Sequence, residues 1–317
     1  MKKDFVSLSN YSREEIEEIF FLATWIKRKR SNGFSPLAHK TAALIFEKPS
    51  LRTHVSFEVG IAQLGGQSVY LSQQQIGVST RESVRDVAEV LSRYNDLIIA
   101  RTMEHETVEE LARYATVPVI NALTDFLHPC QIMADALTLN ERGLLQEKTK
   151  IAFIGDGNNV VNSWLELAEK IPFHFVVSCP AGYEPDGELL ARARSGGVSD
   201  IEIVSDPFEA ADAADVLYTD VWVSMGQELE RAERLRAFQG YRIDARLLSV
   251  AKESCVVMHC LPAHRGEEIT ADVLEGHQSI VLEEAENRLH VQKAIMSYLV
   301  NERKVKRVEL EASGVNN

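Results

Sequence analysis

The sequence is short of cysteine, of basic residues and of long apolar runs, and each shortage excludes something. Its four cysteines, Cys130, Cys179, Cys255 and Cys260, are scattered through 317 residues without CxxC spacing. A disulfide framework or a zinc site is therefore not expected, and free thiols in a reducing compartment are. Lysine and arginine total 34 against 47 acidic residues, a net charge of −13 at pH 7. A broad nucleic-acid surface needs the opposite balance, so any anionic ligand has to be drawn by a local positive pocket. No apolar stretch reaches the ~20 residues needed to span a bilayer. The N-terminus, MKKDFVSLSNYSREEIEEIF, has two lysines but no apolar core, because charge returns within a few residues, and it does not read as a signal peptide. No internal repeat and no low-complexity tract is present. These shortages lead to the expectation of a cytoplasmic protein without nucleic-acid or membrane partners.

What is present is an alternation. The chain is 45% hydrophobic and 26% charged, ordinary for a globular protein and long enough for two domains. Short apolar runs read as strands: TAALIF (41–46), SVYLS (68–72), DLIIAR (96–101) and VPVINA (117–122). A second series follows: KIAFIGDG (150–157), FHFVVSC (173–179), IEIVS (201–205), DVLYTD (215–220), VVMHC (256–260) and SIVLEEA (279–285). Between them lie patterns with apolar positions three and four apart, such as SVRDVAEVLSRY (83–94), TVEELARYA (107–115) and VVNSWLELAEKI (160–171). The fold class expected is α/β, two doubly wound domains each with a parallel sheet flanked by helices. The two series divide near the polar stretch ERGLLQEKTK (141–150), and the tail from residue 303 lacks packing signals.

In such folds ligands collect at the carboxyl ends of strands. Here those ends carry polar groups almost throughout: Ser50-Leu51-Arg52-Thr53, then Arg101, His128-Pro129-Cys130-Gln131, Asp156 with Asn158-Asn159, Asp220 with Ser224-Met225-Gly226, and Cys260-Leu261-Pro262. Ser50 can cap a helix over roughly 51–65 ended by Gly65-Gly66. A helix start with free N–H groups, the Thr53 hydroxyl and the Arg52 guanidinium is also a phosphate site, to which Arg101 can add a second cation. GDGNN (155–159) begins like a dinucleotide fingerprint, but the third glycine is missing and no acidic residue ends the next strand. It reads either as a turn that needs glycine or as one that presents Asn159 to a small polar ligand. His128 is either a satisfied loop histidine or, with the Gln131 amide, a donor to a carbonyl oxygen. Cys260 is either a small buried residue or part of a site; a cysteine nucleophile needs a paired histidine base, and sequence alone cannot place one in reach of it.

Taken together these segments resemble the aspartate/ornithine carbamoyltransferase superfamily, most closely its ornithine branch, over nearly the whole chain. The matching segments stand in family order: SLRTH (50–54) for the usual STRTR, HPCQ (128–131), GDGNN (155–159), DVWVSMG (220–226), HCLP (259–262) and EAENR (284–288) before LHVQKA. The resemblance implies carbamoyl transfer from carbamoyl phosphate to the δ-amine of L-ornithine, giving L-citrulline and phosphate. It implies a carbamoyl-phosphate domain over 1–142, an ornithine domain over 143–285, and a helix of about 286–302 packing back on the first. Ser50, Leu51, Arg52, Thr53, Gln75 and Arg101 would hold phosphate. His128, Gln131, Cys260, Leu261 and Arg288 would surround the carbamoyl end. Asn159, Asp220, Ser224 and Met225 would hold ornithine. Arg52, Arg101, His128, Asp220, Cys260 and Arg288 would act in the chemistry, with no metal or organic cofactor. Gln75, in the polar loop 72–83, falls where the family lends a residue to a neighbouring subunit, which implies a homotrimer with shared sites. His54 stands where the family has an arginine with a structural look, so a supporting ion pair is expected to be weakened or lost. Three other readings are a transferase for another amine such as putrescine or acetylated ornithine, an NAD-dependent dehydrogenase, and a homologue that only binds.

Overall fold

The computed structural model describes residues 2–29, 33–77, 82–224 and 226–300, excepting the side chains of Lys29, Gln75, Ile76 and Glu228. The chain divides into two compact units. The first comprises Met1–Thr124, His128–Met133 and the chain from Arg288 on; the second comprises Asp125–Leu127 and Ala134–Asn287.

In the first unit four parallel strands, β1 (Thr41–Phe46), β2 (Gln67–Ser72), β3 (Leu97–Arg101) and β4 (Val119–Leu123), lie in the order β2-β1-β3-β4. The helices are α1 (Arg13–Lys29), α2 (Leu51–Gln63), α3 (Gln73–Ile76), α4 (Val84–Tyr94) and α5 (His105–Tyr114), followed by α6 (Pro129–Glu141), which crosses into the second unit. Strands β1 and β3 are apolar and buried almost throughout, as central parallel strands must be. Ala43, Ile45, Ile98 and Ala100 pack under Val84, Val87 and Ala88 of α4 and Val108 and Leu111 of α5. The strand order reverses at β1 and β3, so the chain leaves their adjacent carboxyl ends in opposite directions and opens a crevice there.

The second unit repeats the plan with β5 (Lys150–Ile154), β6 (His174–Ser178), β7 (Asp200–Val204), β8 (Val216–Thr219) and β9 (Val256–His259) in the order β7-β6-β5-β8-β9. Its helices are α7 (Asn159–Ala168), α8 (Gly187–Gly196), α9 (Pro207–Ala211), α10 (Arg231–Ala237), α11 (Ala245–Leu248) and α12 (Ala271–Leu274). The order reverses between β5 and β8, so GDGNN and Asp220 leave neighbouring strand ends.

Two expectations are corrected. SIVLEEA is not a strand. Ser279 makes only an isolated bridge to Val257, and helix α13 (Val281–Val300) begins at Val281, five residues before the expected 286. Glu283 and Glu284 fall in its first turn, where the helix dipole favours acidic groups, and Glu284 is buried there, accepting the His259 N–H at 3.0 Å. The stretch 72–83 is not all loop either, because Gln73–Ile76 forms one turn of helix. The tail 303–317 lies outside the described residues. None of the helices described is long and apolar enough to cross a membrane.

Candidate active site

In the first unit the crevice is built on the start of α2. Ser50 has an extended backbone, and its Oγ accepts the Thr53 N–H at 3.4 Å, capping the helix as its sequence position suggests. The next turn presents Thr53, fully buried. Its Oγ1 accepts from Arg101 Nη1 at 3.2 Å and from Arg288 Nη2 at 2.8 Å. Arg101 ends β3 and Arg288 comes from α13, so residues 48 and 235 positions away converge on one hydroxyl. Arg52 is half-buried, and its Nε is buried with no hydrogen bond among the described residues. Three arginines at a helix N-terminus with no acidic residue in its first turn make the local positive field that a chain of net charge −13 needs for an anion. Leu51 is 76% exposed, so its side chain adds nothing to such a pocket.

His128 and Gln131 occupy the start of α6, both buried, and the Gln131 N–H donates to the His128 carbonyl at 3.1 Å. Burial pushes the His128 pKa well below that of a free imidazole, and Arg288 and Arg101 push it the same way. The imidazole is therefore neutral near pH 7 and can donate one N–H. His54 Nε2 lies 3.2 Å from Glu58 Oε2, and the imidazole packs against the Tyr70 ring with centroids 4.3 Å apart and planes tilted by 32°.

In the second unit Asp220, after β8, accepts from Asn158 Nδ2 at 2.8 Å and from the Cys260 thiol at 3.0 Å. Asn158 also caps α7, its Oδ1 accepting from Val160 N and Val161 N. Burial and the nearby Asp220 and Glu284 carboxylates push the Cys260 pKa well up, so the sulfur stays a protonated donor to Asp220. Leu261 follows with φ +56, a left-handed conformation rare for leucine, and its N–H donates to His259 Nδ1 at 2.9 Å. His259 Nε2 then faces buried Glu268 at 3.0 Å. The preceding turn needs glycine: a Cβ on Gly157 would sit 2.2 Å from the Pro185 nitrogen. All four cysteines are free and buried.

The structure thus joins Ser50, Thr53, Arg101 and Arg288 by hydrogen bonds, with His128 in the electrostatic reach of both arginines. It joins Asp220 to Cys260 separately. Cys260 and Leu261, expected beside the carbamoyl group, lie in the unit that holds Asp220. Asn159 opens α7 one residue after the cap; Ser224 lies four residues past Asp220, its N–H on Gln227 Oε1 at 3.1 Å. Met225 and the Gln75 side chain lie outside the described residues. The cap at Asn158 carries a sequence signal, an asparagine before an apolar helical run. Arg234 carries none: its Nη1 lies 2.8 Å from Asp156 Oδ2, a pairing across 78 residues.

Among the described residues, three groups bring possible metal-ligand atoms within 4.8 Å of one another: Asp220–His259–Cys260, His174–Asp200–Glu202 and His264–Glu267–Glu268. In the first, both imidazole nitrogens and the thiol proton are already engaged, so an ion would have to displace those hydrogen bonds.

The polar groups thus gather at strand ends of both parallel sheets: cations around the Thr53 hydroxyl on one, a carboxylate–thiol pair on the other. The chain belongs to the aspartate/ornithine carbamoyltransferase family: its carbamoyl-P binding domain matches residues 3–141 and its Asp/Orn binding domain residues 147–299. The ornithine carbamoyltransferase of Chlorobaculum tepidum is 56% identical, covering 95% of this chain and 90% of that one. The solved ornithine carbamoyltransferase of Pyrococcus furiosus is 45% identical with a TM-score of 0.89, covering 94% of this chain and 96% of its own. The anabolic ornithine carbamoyltransferase of Campylobacter jejuni is 39% identical with a TM-score of 0.90, covering 95% of this chain and all of its own.

Proposed function

We propose that this chain transfers the carbamoyl group of carbamoyl phosphate to the δ-amine of L-ornithine, giving L-citrulline and phosphate. The observation that carries the reading is the Thr53 hydroxyl held by Arg101 and Arg288 at the start of α2. Ser50, Arg52, Thr53 and Arg101, with the backbone at Leu51, bind the phosphate; His128, Gln131 and Arg288 bind the carbamoyl end. Asn159, Asp220, Ser224 and Met225 bind ornithine. The neutral δ-amine attacks the carbamoyl carbon, a C–N bond forms as the C–O bond to phosphate breaks, and the leaving phosphate takes the proton. Arg52, Thr53 and the His128 N–H stabilise the negative charge that grows on the carbonyl oxygen. Asp220 with the Cys260 thiol beside it steadies the amino-acid substrate and favours the uncharged amine. The remaining gain comes from holding two substrates in register, which can contribute ~7–11 kcal/mol. No step calls on a metal or organic cofactor. Residues 1–142 with the end of α13 form the carbamoyl-phosphate domain and 143–285 the ornithine domain. The test is citrulline formation from the two substrates with no nicotinamide added; its absence from folded protein would refute the reading, and putrescine carbamoylated equally well would move it to another amine.

The working form is a cytoplasmic homotrimer acting in arginine biosynthesis, with Gln75 of each copy serving its neighbour's phosphate pocket. A stripe on α2, Leu51, Val55 and Val59, and the adjoining Val69 and Tyr70 of edge strand β2 are apolar and exposed, which supports burial against another copy. Mixing inactive Arg52→Ala and Gln75→Ala chains and reassociating them should restore roughly a quarter of the sites under cyclic symmetry. Hybrid trimers without activity would refute the sharing.

A further inference from the structure

The pairing of β3 with β4 shifts register at its end: Ala100 opposes Asn121 but Arg101 opposes Leu123, which leaves Ala122 as the extra residue of a bulge. Bulges re-aim side chains, and this one falls at the arginine that reaches Thr53. Besides a local bond from Thr102 Oγ1 to the Glu104 carbonyl at 3.0 Å, three hydrogen bonds among the described residues hold the chain where it leaves the sheet. Two are backbone to backbone, Glu47 N–H to the Arg101 carbonyl at 3.0 Å and Thr102 N–H to the Leu123 carbonyl at 3.1 Å, and any residue could supply them. The third needs a particular side chain: the Met103 N–H donates to Glu47 Oε2 at 2.6 Å. Glu47 therefore grips both sides of Thr102, by its backbone before it and its carboxylate after it. Its half-buried carboxyl is pushed up by burial, which the Met103 N–H partly offsets. An acidic side chain three residues before Ser50 opposes anion binding by its charge, so its presence calls for a compensating structural role.

We infer that Glu47 is a positioning residue for phosphate recognition: by taking the Met103 N–H, its carboxylate fixes the backbone from which Arg101 reaches Thr53. The inference rests on the reading of Arg101 as a phosphate-binding group, and the experiment separates the two. Full-length Glu47→Asp, Glu47→Gln, Arg101→Ala and the double variant Glu47→Asp/Arg101→Ala are titrated calorimetrically with inorganic phosphate, and KM values are measured for both substrates. Aspartate keeps the charge but is one methylene too short for Met103, and should weaken phosphate binding about tenfold, the loss of one charge-assisted hydrogen bond. Glutamine keeps an acceptor oxygen without the charge and should stay within about threefold of wild type. The loss should appear in KM for carbamoyl phosphate and leave KM for ornithine unchanged. On the Arg101→Ala background, Glu47→Asp should add nothing. Retained phosphate binding in Arg101→Ala overturns the underlying reading and the inference with it. A large loss in Arg101→Ala, with no loss in Glu47→Asp or with additive losses in the double variant, overturns the inference alone. If Glu47→Asp does not fold, Glu47→Gln decides: loss of phosphate binding by the folded glutamine variant shows that charge, not the Met103 bond, is what matters.

Discussion

Arg234→Met isolates the electrostatics of the second unit. The Arg234 guanidinium is bonded to Asp156 at 2.8 Å, to the Trp222 carbonyl at 3.1 Å and to Glu230 at 2.9 Å, and it lies 5.0 Å over the Tyr183 ring. Both Arg234 and Asp156 side chains are 8% exposed. Burial pushes the Asp156 carboxyl up to about 6, against the pull of Arg234. At pH 7.5 Asp156 is thus ionised and held by its arginine; methionine leaves that charge buried and unpaired, a one-sided loss of ~3–5 kcal/mol. The sign of the pH effect follows. The folded pKa is above the ordinary 3.8, so the folded chain binds the proton more tightly. The resulting stabilisation is full below 3.8 and is lost as pH rises through about 6. Without the arginine that loss moves to still higher pH. Between pH 7.5 and 5.5 the variant should therefore regain about 1–2 kcal/mol more than the wild type. Urea unfolding followed by circular dichroism at both pH values measures it, and adding Asp156→Asn to Arg234→Met should recover most of the deficit at pH 7.5. An equal deficit at both pH values, or no recovery in the double variant, would refute the argument.

Arg52→Ala should lower turnover by ~10²–10³ or more, with lysine an incomplete replacement because the planar fork is lost; near-normal turnover of the folded variant would sink the phosphate pocket. Asp220→Asn should damage ornithine use while sparing phosphate binding: Asp220 accepts from both Asn158 and Cys260, and an amide has only one acceptor oxygen, so one donor must meet an N–H. Steady-state kinetics with each substrate varied in turn reads this, and an unchanged KM and kcat would count against it. Gly157→Ala should destabilise the protein severely, since its Cβ would meet backbone at 2.2 to 2.7 Å from three residues of 183–185; a melting temperature within a degree or two of wild type would show that the turn can move.

The strands are legible because a buried parallel strand leaves a plain mark, a short apolar run between polar ones; seven of the eight runs from TAALIF to DVLYTD match their strands within two residues at each end, whereas KIAFIGDG runs three residues past the end of β5, and the ninth, VVMHC, is β9. SIVLEEA carries the same mark and misled for a physical reason: a run of three apolar residues fits a strand and a helix start equally, and what decides is the buried partner of Glu284, which lies 25 residues away. Ser50 and Thr53 could be placed from local rules, since a cap and its first turn are adjacent in sequence. Arg288 reached the site only through likeness to a family, because nothing near it says that α13 returns to α2. Glu47 and Arg234 hold other groups in place through bonds across 56 and 78 residues, and such bonds are invisible until the chain is folded.

The hydroxyl of Thr53 has one proton to give and two lone pairs to fill. Arg101 takes one lone pair and Arg288 the other. What remains is a donor only, and one strengthened by two cations drawing density from its oxygen. Such a hydroxyl can satisfy an incoming oxygen anion but has nothing to offer an ammonium group or another N–H. The fold has thereby set the polarity of this position before any ligand arrives: valine there would lose the discrimination together with both arginine contacts, whereas serine would keep the parity of donors and acceptors and lose only the methyl group that holds the rotamer.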